Sequence, residues 1–156
     1  MTFVVHLREA TTEDLGPAAE LARRAFDMAV APHYSPEGVA TFHAYASEAA
    51  VRTRDADGHL TVVAVEAGDI VGMAQLKAGT HLAMLFVLPE AQRRGIGRRL
   101  PDYLLTKSGP GELTVNASPN AESAYLRFGF RRMSEEQVKD GIRFIPMQRP
   151  LLPAST

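Results

Sequence analysis

The chain has 156 residues, a hydrophobic content of 46%, a formal net charge of -1 and no cysteine, so a disordered chain, disulfides, thiolate nucleophiles and thiolate metal sites are excluded. A nearly neutral chain lacks the basic excess of a nucleic-acid-binding protein, and no apolar stretch approaches the roughly 18 residues that a membrane-spanning helix needs. The N-terminal segment also lacks a signal-peptide pattern, and we therefore expect a single domain over residues 1–156, cytoplasmic, with no nucleic-acid or membrane partner.

The first half of the chain predicts a strand, two helices and a β-hairpin. Thr11 or Thr12 can cap the first helix, and Ser35 followed by Pro36 is typical of the start of a second one. The tripeptide Ala67-Gly68-Asp69 lies between two apolar segments and favours a tight turn that joins antiparallel strands. The predicted elements, with one turn before the hairpin, cover residues 3–8, 12–27, 36–46, 55–58, 60–66 and 70–77.

A glycine-containing loop follows the next predicted strand. The apolar run Leu82–Leu88 predicts a buried strand, and the segment Gln92–Gly97 lies between it and an amphipathic helix. Backbone N–H groups at the start of a helix are unpaired and carry a positive partial charge. Gly95 and Gly97 allow the backbone to approach a ligand closely, and two arginines in the segment add positive charge. The sequence therefore predicts a site for a di- or polyphosphate.

This loop differs from two common phosphate-binding motifs. It has neither the lysine of a Walker loop nor the third glycine of a dinucleotide loop, which argues against a nucleotide-binding module. Instead, Q-R-R-G-I-G after F-V-L-P-E resembles the acetyl-CoA pyrophosphate loop of the GNAT N-acetyltransferases, whose pattern is Q/R-x-x-G-x-G/A. The structural alternative is a basic, solvated helix start whose glycines serve only the turn. The resemblance implies acetyl-CoA as the acetyl donor, with cofactor-binding residues that include Phe86, Val87, Gln92, Arg93, Arg94, Gly95, Ile96, Gly97 and Arg98.

A second segment, V-N-A-S-P-N-A-E-S-A-Y-L-R-F-G-F over residues 115–130, resembles the GNAT signature N-x-x-A-x-x-x-Y-x-x-x-G-F. The resemblance implies that Tyr125 is the general acid that protonates the leaving thiolate, a role that a phenol can fill. The structural alternative for Tyr125 is a core aromatic on an amphipathic helix. Ser118 stands where the family usually has asparagine and also fits a helix cap. Ser118 and Asn120 are weaker candidates for cofactor contacts, since Asn120 equally fits a solvent-facing position.

The remaining elements complete an α+β pattern. They are a strand over residues 113–116, a helix over 119–127 that Gly129 ends, and two strands over 130–133 and 142–148 joined by a polar loop. Pro101 lies inside the helix after the glycine loop and is expected to bend or break it. The order β-α-α-β-β-β-α-β-α-β-β resembles the GNAT fold. The resemblance implies a three-layer α/β domain with a mixed, mostly antiparallel sheet and helices on both faces.

Three residues are candidates for the acceptor side of the site. Some relatives carry, at the position of His81, a carboxylate that accepts the proton of the amine directly or through water, and a histidine has a suitable pKa for this. His33 competes for the role of general base. His33 and Tyr34 lie at the break between two predicted helices, a segment that lines the acceptor site in relatives, so we expect both to bind the substrate. A structural or solvated role is the alternative for each histidine.

The two motifs together imply an N-acetyltransferase acting on a primary amine of a small molecule or peptide. Direct attack in a ternary complex is expected, because no cysteine is available to form an acetyl-enzyme. A backbone N–H near Phe86 or Val87 would stabilise the carbonyl oxygen. The competing interpretation is a non-catalytic acyl-CoA-binding module that regulates a protein partner. The histidines lack a zinc-binding spacing, so no metal is expected, and a homodimer through the C-terminal strands stays open.

Overall fold

A computed structural model describes residues 4–107 and 112–150 of the chain. The helices are α1 (Leu15–Ala29), α2 (Pro36–Tyr45), α3 (Glu48–Ala56), α4 (Ile96–Lys107) and α5 (Glu122–Arg127). The strands are β1 (Val5–Glu9), β2 (Leu60–Glu66), β3 (Asp69–Lys77), β4 (His81–Val87), β5 (Glu112–Ala117), β6 (Arg131–Arg132), β7 (Gln137–Lys139) and β8 (Ile142–Pro150). Short 3-10 turns over Pro89–Arg94 and Pro119–Ala121 lead into α4 and α5. Among these residues, no helix combines the length and the apolar character that crossing a bilayer requires.

The strands form a mixed sheet with helices on both faces, which confirms the predicted fold class. The strand order is β1-β2-β3-β4-β5-β8-β6, and β7 pairs with β8 outside this path. The described strand pairs are antiparallel except for β4 and β5, which run parallel. One core lies between the sheet and α4 with α5, and a second lies between the sheet and α1 with α3. The architecture is therefore three-layered, with the sheet between two helical layers.

Short polar and glycine signals set the ends of several elements. The carboxylate of Asp14 accepts a hydrogen bond from the Thr11 backbone N–H at 2.7 Å, which closes the first turn before α1. Ala67 and Gly68 have φ angles of 50° and 84°, the left-handed pair that a tight hairpin turn requires, so the predicted β2–β3 hairpin is confirmed. Gly129 has a φ of 97° just after α5, as predicted for the end of that helix.

Helix α3 is an element that the sequence interpretation missed. The side chain of Ser47 accepts a hydrogen bond from the Ala50 N–H at 3.1 Å and so caps a new helix directly after α2. This helix extends to Ala56, and the turn predicted over residues 55–58 is therefore wrong in its first half. The helix has a weak apolar pattern and buries only Val51 in the core, so its periodicity gave little signal.

Two further predictions about the C-terminal half are wrong in detail. The loop expected before the last strand contains β7, which a turn with Asp140 and Gly141 at φ angles of 53° and 79° joins to β8. The predicted break of α4 at Pro101 is wrong, because the helix continues through Pro101 to Lys107. The alternative of a bend at Pro101 stays a prediction. The Pro101 ring is buried, and packing of the apolar face of α4 on the sheet outweighs the one hydrogen bond that proline removes.

The two halves of the sheet separate between β4 and β5. Their parallel register covers only His81 with Thr114 and Leu82 with Val115. On the other side of β4, the register with β3 slips so that Ala83 has no partner, which is a β-bulge. A bulge bends its strand and increases the local twist, so β4 turns away from β5 beyond Leu82. The separation leaves an opening in the middle of the sheet.

Candidate active site

The opening between β4 and β5 forms a cleft of about 910 Å³. Residues from both helical layers and from β4, β5 and β8 line it. We call its two parts the loop end and the aromatic end. The loop end is lined by Gly95, Gly97, Arg98, Arg127 and Phe128, and the aromatic end by Phe26, Tyr34, Phe42, Phe86, Ile142 and Phe144.

The loop end combines a left-handed glycine with the start of α4. Gly95 has a φ of 75°, and a Cβ built on it would meet no atom within 4 Å, so a ligand can approach its backbone. A Cβ on Gly97 would lie 3.3 Å from the ring of Phe128, so this position is closely packed. The Arg98 guanidinium donates to the Arg127 carbonyl at 3.2 Å. The unpaired N–H groups of the first turn of α4 and the arginine charge make this end electropositive.

The other residues of the predicted loop contribute through their backbone. Ile96 is fully buried in the core beside α4, so only its N–H can meet a ligand. The backbone of Gln92, Arg93 and Arg94 belongs to the 3-10 turn before α4. The side chains of these three residues lie outside the described part of the structure, and their predicted cofactor contacts stay predictions.

In the antiparallel pair of β3 and β4, every second residue of β4 directs its backbone N–H and C=O toward β3. The residues between them direct these groups toward the cleft. The Leu88 N–H donates to the Val71 carbonyl at 2.9 Å, and hydrogen-bonded pairs alternate along an antiparallel ladder. The N–H of Phe86 therefore points toward β3, whereas Leu85 and Val87 direct theirs toward the side that β5 has left. Phe86 was predicted to supply a backbone N–H to the cleft, but only its side-chain ring lies there. Leu85 is a second candidate, beside Val87, for the backbone N–H that donates to the carbonyl oxygen.

Tyr125 lies on the cleft-facing side of α5. It is 8% exposed, and its ring packs edge-to-face on Phe128 and Phe130 with centroids 5.9 Å and 5.3 Å away. Its hydroxyl makes no hydrogen bond to a described residue, and the side chain lines the cleft. Burial raises the pKa of Tyr125 well above its ordinary value, so the hydroxyl stays protonated at neutral pH. The predicted general acid is therefore a protonated group at the cleft wall.

The aromatic end is a contiguous set of rings from distant parts of the chain. Phe42 of α2 stacks on Phe26 of α1 with centroids 3.9 Å apart and meets Phe86 of β4 edge-to-face at 5.4 Å. Tyr34 packs edge-on against Phe26 at 5.6 Å. Its hydroxyl donates to the Arg143 carbonyl on β8 at 2.5 Å, which places Tyr34 in the cleft wall.

Of the remaining residues predicted to bind cofactor or substrate, Ser118 and Asn120 line the cleft and His33 does not. Ser118 and Asn120 line it just after β5. The Asn120 side-chain amide donates to the Ala29 carbonyl at 3.0 Å, so this residue also ties the start of α5 to the end of α1. His33 is exposed and absent from the cleft wall, and its carbonyl accepts from the Arg143 guanidinium at 3.5 Å. The structure therefore does not bring His33 to the place where substrate binding was expected.

His81 lies at the root of the opening, where β4 and β5 still pair, and not in the cleft wall. Its Nδ1 lies 2.8 Å from Thr114 Oγ1 on β5. Burial, and to a smaller extent the charge of Lys77, lowers the pKa of His81 below its ordinary value. His81 and Tyr125 are thus not neighbours in the cleft lining. Within residues 4–107 and 112–150, no group of three or more histidine or acidic side chains is placed to hold a metal ion.

Comparison with known proteins identifies the family. A family model described as an acetyltransferase (GNAT) domain matches residues 30–151, which is more than half of the chain. The chain belongs to the GNAT acetyltransferase family. It is similar to a protein of Escherichia coli (strain K12) that is named as an uncharacterized N-acetyltransferase, YafP. The two are 27% identical over 135 residues, which cover 86% of this chain and 87% of that protein.

Solved structures share the GNAT fold over nearly the whole chain. The structure of a GCN5-related N-acetyltransferase from Rhodopseudomonas palustris, also described as an aminotransferase, class-II, aligns with a TM-score of 0.83. It is 29% identical, and the alignment covers 97% of this chain and 99% of that one. The PaiA N-acetyltransferase of Thermoplasma acidophilum aligns with a TM-score of 0.71 at 21% identity, over 94% and 99% of the two chains. The predicted GNAT fold is confirmed.

Sequence reasoning missed several residues of the GNAT cleft. The backbone N–H of Leu85 faces the cleft because of the bulge in β4 and the register of β4 with β3. Neither of these can be predicted from a local sequence pattern. Asn116 lines the cleft from β5 and could have been found, because it is one of the polar residues that alternate with apolar ones along this strand. Ile142 and Phe144 reach the cleft from β8, and their spacing of two residues was the available signal that they share one face.

Proposed function

We propose that this protein is an N-acetyltransferase that moves the acetyl group of acetyl-CoA to a primary amine by direct attack in a ternary complex, with residues 1–156 acting as one domain. One observation carries the proposal: a single cleft joins the glycine-led start of α4, the Tyr125 side chain and the aromatic end. Two structural relatives support it, since the Thermoplasma acidophilum PaiA enzyme was solved with coenzyme A and the Salmonella typhimurium yncA acetyltransferase with acetyl-CoA.

The loop end has the chemistry that a pyrophosphate requires. The backbone at Gly95 is open to a ligand, and the N–H groups of Ile96 and Gly97 at the start of α4 suit anionic oxygens. Arg98 adds a charge that complements phosphate. Along β4, the cleft-facing backbone of Leu85 suits the amide groups of the pantetheine arm, as a strand edge suits an extended peptide. Further contacts from Val87, Ser118 and Asn120 belong to the same proposal.

The transfer forms an N–C bond and breaks a C–S bond. It therefore needs a base for the ammonium proton, a hydrogen-bond donor for the carbonyl oxygen and an acid for the sulfur. We assign the donor for the carbonyl oxygen to the Leu85 N–H, because the pairing of β4 with β3 directs this N–H away from β3 and toward the cleft. We assign the acid to Tyr125, whose raised pKa keeps its proton available until the thiolate leaves. Tyr125 then regains a proton from solvent.

The base is assigned to His81. The hydrogen bond with Thr114 occupies Nδ1 and leaves Nε2 with no partner among the described residues. Because burial lowers the pKa of His81, the ring is neutral and able to accept a proton at physiological pH. His81 lies at the root of the opening rather than in its wall, so a bound water would carry the proton from the amine to Nε2.

Comparison of wild type with Tyr125→Phe tests the proposal. The substitution keeps the ring and its contacts with Phe128 and Phe130 and removes only the proton donor. We expect kcat for acetyl transfer to fall by about 10²–10⁴-fold, while the Kd for CoA in titration calorimetry stays within about twofold because the hydroxyl acts on the leaving sulfur. Tyr103→Phe, on α4 and outside the cleft lining, is the matched control and should leave both quantities near wild type.

The same measurements separate this function from its competitors. Folded wild-type protein that fails to bind CoA would contradict the proposal. CoA binding without turnover toward any amine would favour the non-catalytic acyl-CoA-binding module. Wild-type turnover in Tyr125→Phe, with chemistry shown to be rate-limiting, would return Tyr125 to a packing role.

A further inference from the structure

We infer that the acceptor is a primary monoamine with an aromatic or apolar body, and that polycationic amines are poor acceptors. The inference rests on the proposed function, because it assigns the aromatic end of the cleft to the acceptor while the loop end takes the cofactor. Two independent features carry it. One is the apolar surface that the aromatic end presents, and the other is that the described cleft wall has a single carboxylate to pair with a cationic acceptor.

The rings of the aromatic end extend beyond the core into the cleft. Phe26 is 2% exposed and belongs to the core. Phe42, Phe86, Ile142 and Phe144 are each half-buried and line the cleft, so part of every one of these side chains faces the space inside. A ligand ring placed there would bury apolar surface on both partners and would gain the offset or edge-to-face contacts that aromatic pairs favour.

The aromatic end is held open by contacts between α2 and the turn that joins β7 to β8. The Thr41 hydroxyl donates to the Asp140 carbonyl at 2.8 Å. A Cβ on Gly38 would lie 2.3 Å from the Gly141 carbonyl oxygen, so the two backbones are in direct contact. Because the wall is built before a ligand arrives, binding an apolar group there costs little ordering of the protein.

The charges of the cleft wall disfavour a polycation. Among the described residues that line the cleft, the cations are Arg98, Arg127 and Lys139, and Asp140 is the one carboxylate. Arg98 and Arg127 belong to the loop end, whereas Lys139 and Asp140 lie beside the aromatic end, and Lys139 makes no ion pair with any residue in the described ranges. A polyamine would bring several ammonium groups to a wall with a single carboxylate, so most of them would be left without a counter-ion and next to Lys139, which is unfavourable. A monoamine brings one, which it loses before the nitrogen attacks.

The test titrates amines into CoA-saturated wild-type protein and measures kcat/KM with acetyl-CoA. The probes are 2-phenylethylamine, n-propylamine and spermidine. We expect 2-phenylethylamine to bind at least about tenfold more tightly than either other amine, because it alone buries a ring. Spermidine binding as tightly as 2-phenylethylamine would overturn the inference and leave the proposed function intact. The preceding CoA titration tests the proposed function separately. If CoA does not bind, the same ranking is measured on the unliganded protein.

Two variants locate the effect within the cleft. Phe42→Leu keeps an apolar side chain and removes the ring, so the preference for 2-phenylethylamine over 2-cyclohexylethylamine should fall by about threefold to tenfold. Lys139→Glu reverses an exposed charge on β7, so the ratio of kcat/KM for spermidine to that for 2-phenylethylamine should rise by about tenfold. Lys107→Glu, at the end of α4 and outside the cleft lining, should not change that ratio. Folded variants in which neither ratio moves would overturn the inference.

Discussion

The loop end and the aromatic end of the cleft present different parts of the chain to a ligand. At the loop end the backbone is exposed, through the open position at Gly95 and the N–H groups that begin α4. At the aromatic end the wall consists of side chains from α1, α2, β4 and β8. Backbone groups are the same for every residue type, whereas a side-chain wall changes with each substitution. The loop end therefore suits a fixed cofactor, and the aromatic end is where we propose that the choice of amine is made.

His81 lies at the root of the opening, outside the lining of both ends, and its substitution should have the largest effect. Because burial lowers the pKa of His81, the neutral, basic form predominates above a pKa that lies below the ordinary value of about 6.5. The acidic limb of the kcat/KM profile should therefore rise with pH below that value. His81→Ala should lose this limb and lower kcat/KM by about 10²–10⁴-fold at neutral pH.

His33→Ala is the matched control for His81, because His33 is exposed and outside the cleft lining. Its pH profile should superimpose on that of wild type. An unchanged profile in His81→Ala would place the base elsewhere and would leave His81 as a residue that fixes the pairing of β4 with β5 through Thr114.

Substitutions at Gly95 should weaken cofactor binding at the loop end without changing the aromatic end. Its φ of 75° disfavours most side chains, but Asp and Asn are the non-glycine residues that tolerate this conformation best. Gly95→Asp places a carboxylate where an anion is proposed to bind, and Gly95→Asn places a neutral group of the same shape there. Since like-charge contacts cost several kcal/mol, we expect Gly95→Asp to weaken CoA binding by about a hundredfold in titration calorimetry.

The neutral variant Gly95→Asn shows whether charge or shape causes the loss of CoA affinity in Gly95→Asp. Gly95→Asn should retain most of the CoA affinity, because a Cβ at this position meets no atom within 4 Å. Equal losses in the two variants would show that shape rather than charge is responsible. No loss in either would mean that the pyrophosphate does not contact this loop.

The glycine-containing part of the loop end could be predicted from the sequence because its residues are neighbours in the chain. The strand, the glycines and the helix start of residues 82–97 are consecutive, and each follows from local rules of periodicity and backbone conformation. Tyr125 could be placed on the same grounds, since its motif lies within one segment. The structure adds that its side chain lines the cleft and that burial raises its pKa.

The aromatic end could not be predicted in the same way because it depends on long-range contacts. Phe26, Phe42 and Phe86 meet only after α1, α2 and β4 have packed, and β7 was taken for a loop because its three residues are exposed. The exclusion of the Phe86 N–H from the cleft depends on the pairing of β4 with β3. Register is a property of two strands, and one strand read alone does not contain it.

Gly38 offers the complementary way to disturb the aromatic end alone, with a smaller effect. Ala is the better helix former by up to about 1 kcal/mol, so Gly38→Ala would stabilise an isolated α2. In the folded protein the new Cβ would lie 2.3 Å from the backbone carbonyl oxygen of Gly141. A backbone atom cannot rotate away, so α2 and the β7–β8 turn must move apart, at a typical overpacking cost of about 1–3 kcal/mol. We therefore expect net destabilisation in thermal unfolding.

The displacement of α2 in Gly38→Ala should weaken binding of the acceptor amine and leave binding of the cofactor unchanged. Thr41 and Phe42 of α2 and Asp140 of the turn all line the cleft, so the acceptor KM of Gly38→Ala should rise by about threefold to tenfold as the preformed wall loosens. The Kd for CoA should stay within about twofold of wild type, since a Cβ on Gly38 would meet Gly141 and Tyr34, whereas one on Gly97 at the start of α4 would meet Phe128 and Val87. Gly72→Ala is the control, because its nearest neighbours would lie 3.4 Å from the new Cβ and tolerate it. An equal loss of CoA affinity in Gly38→Ala would show that the two ends of the cleft are coupled rather than independent.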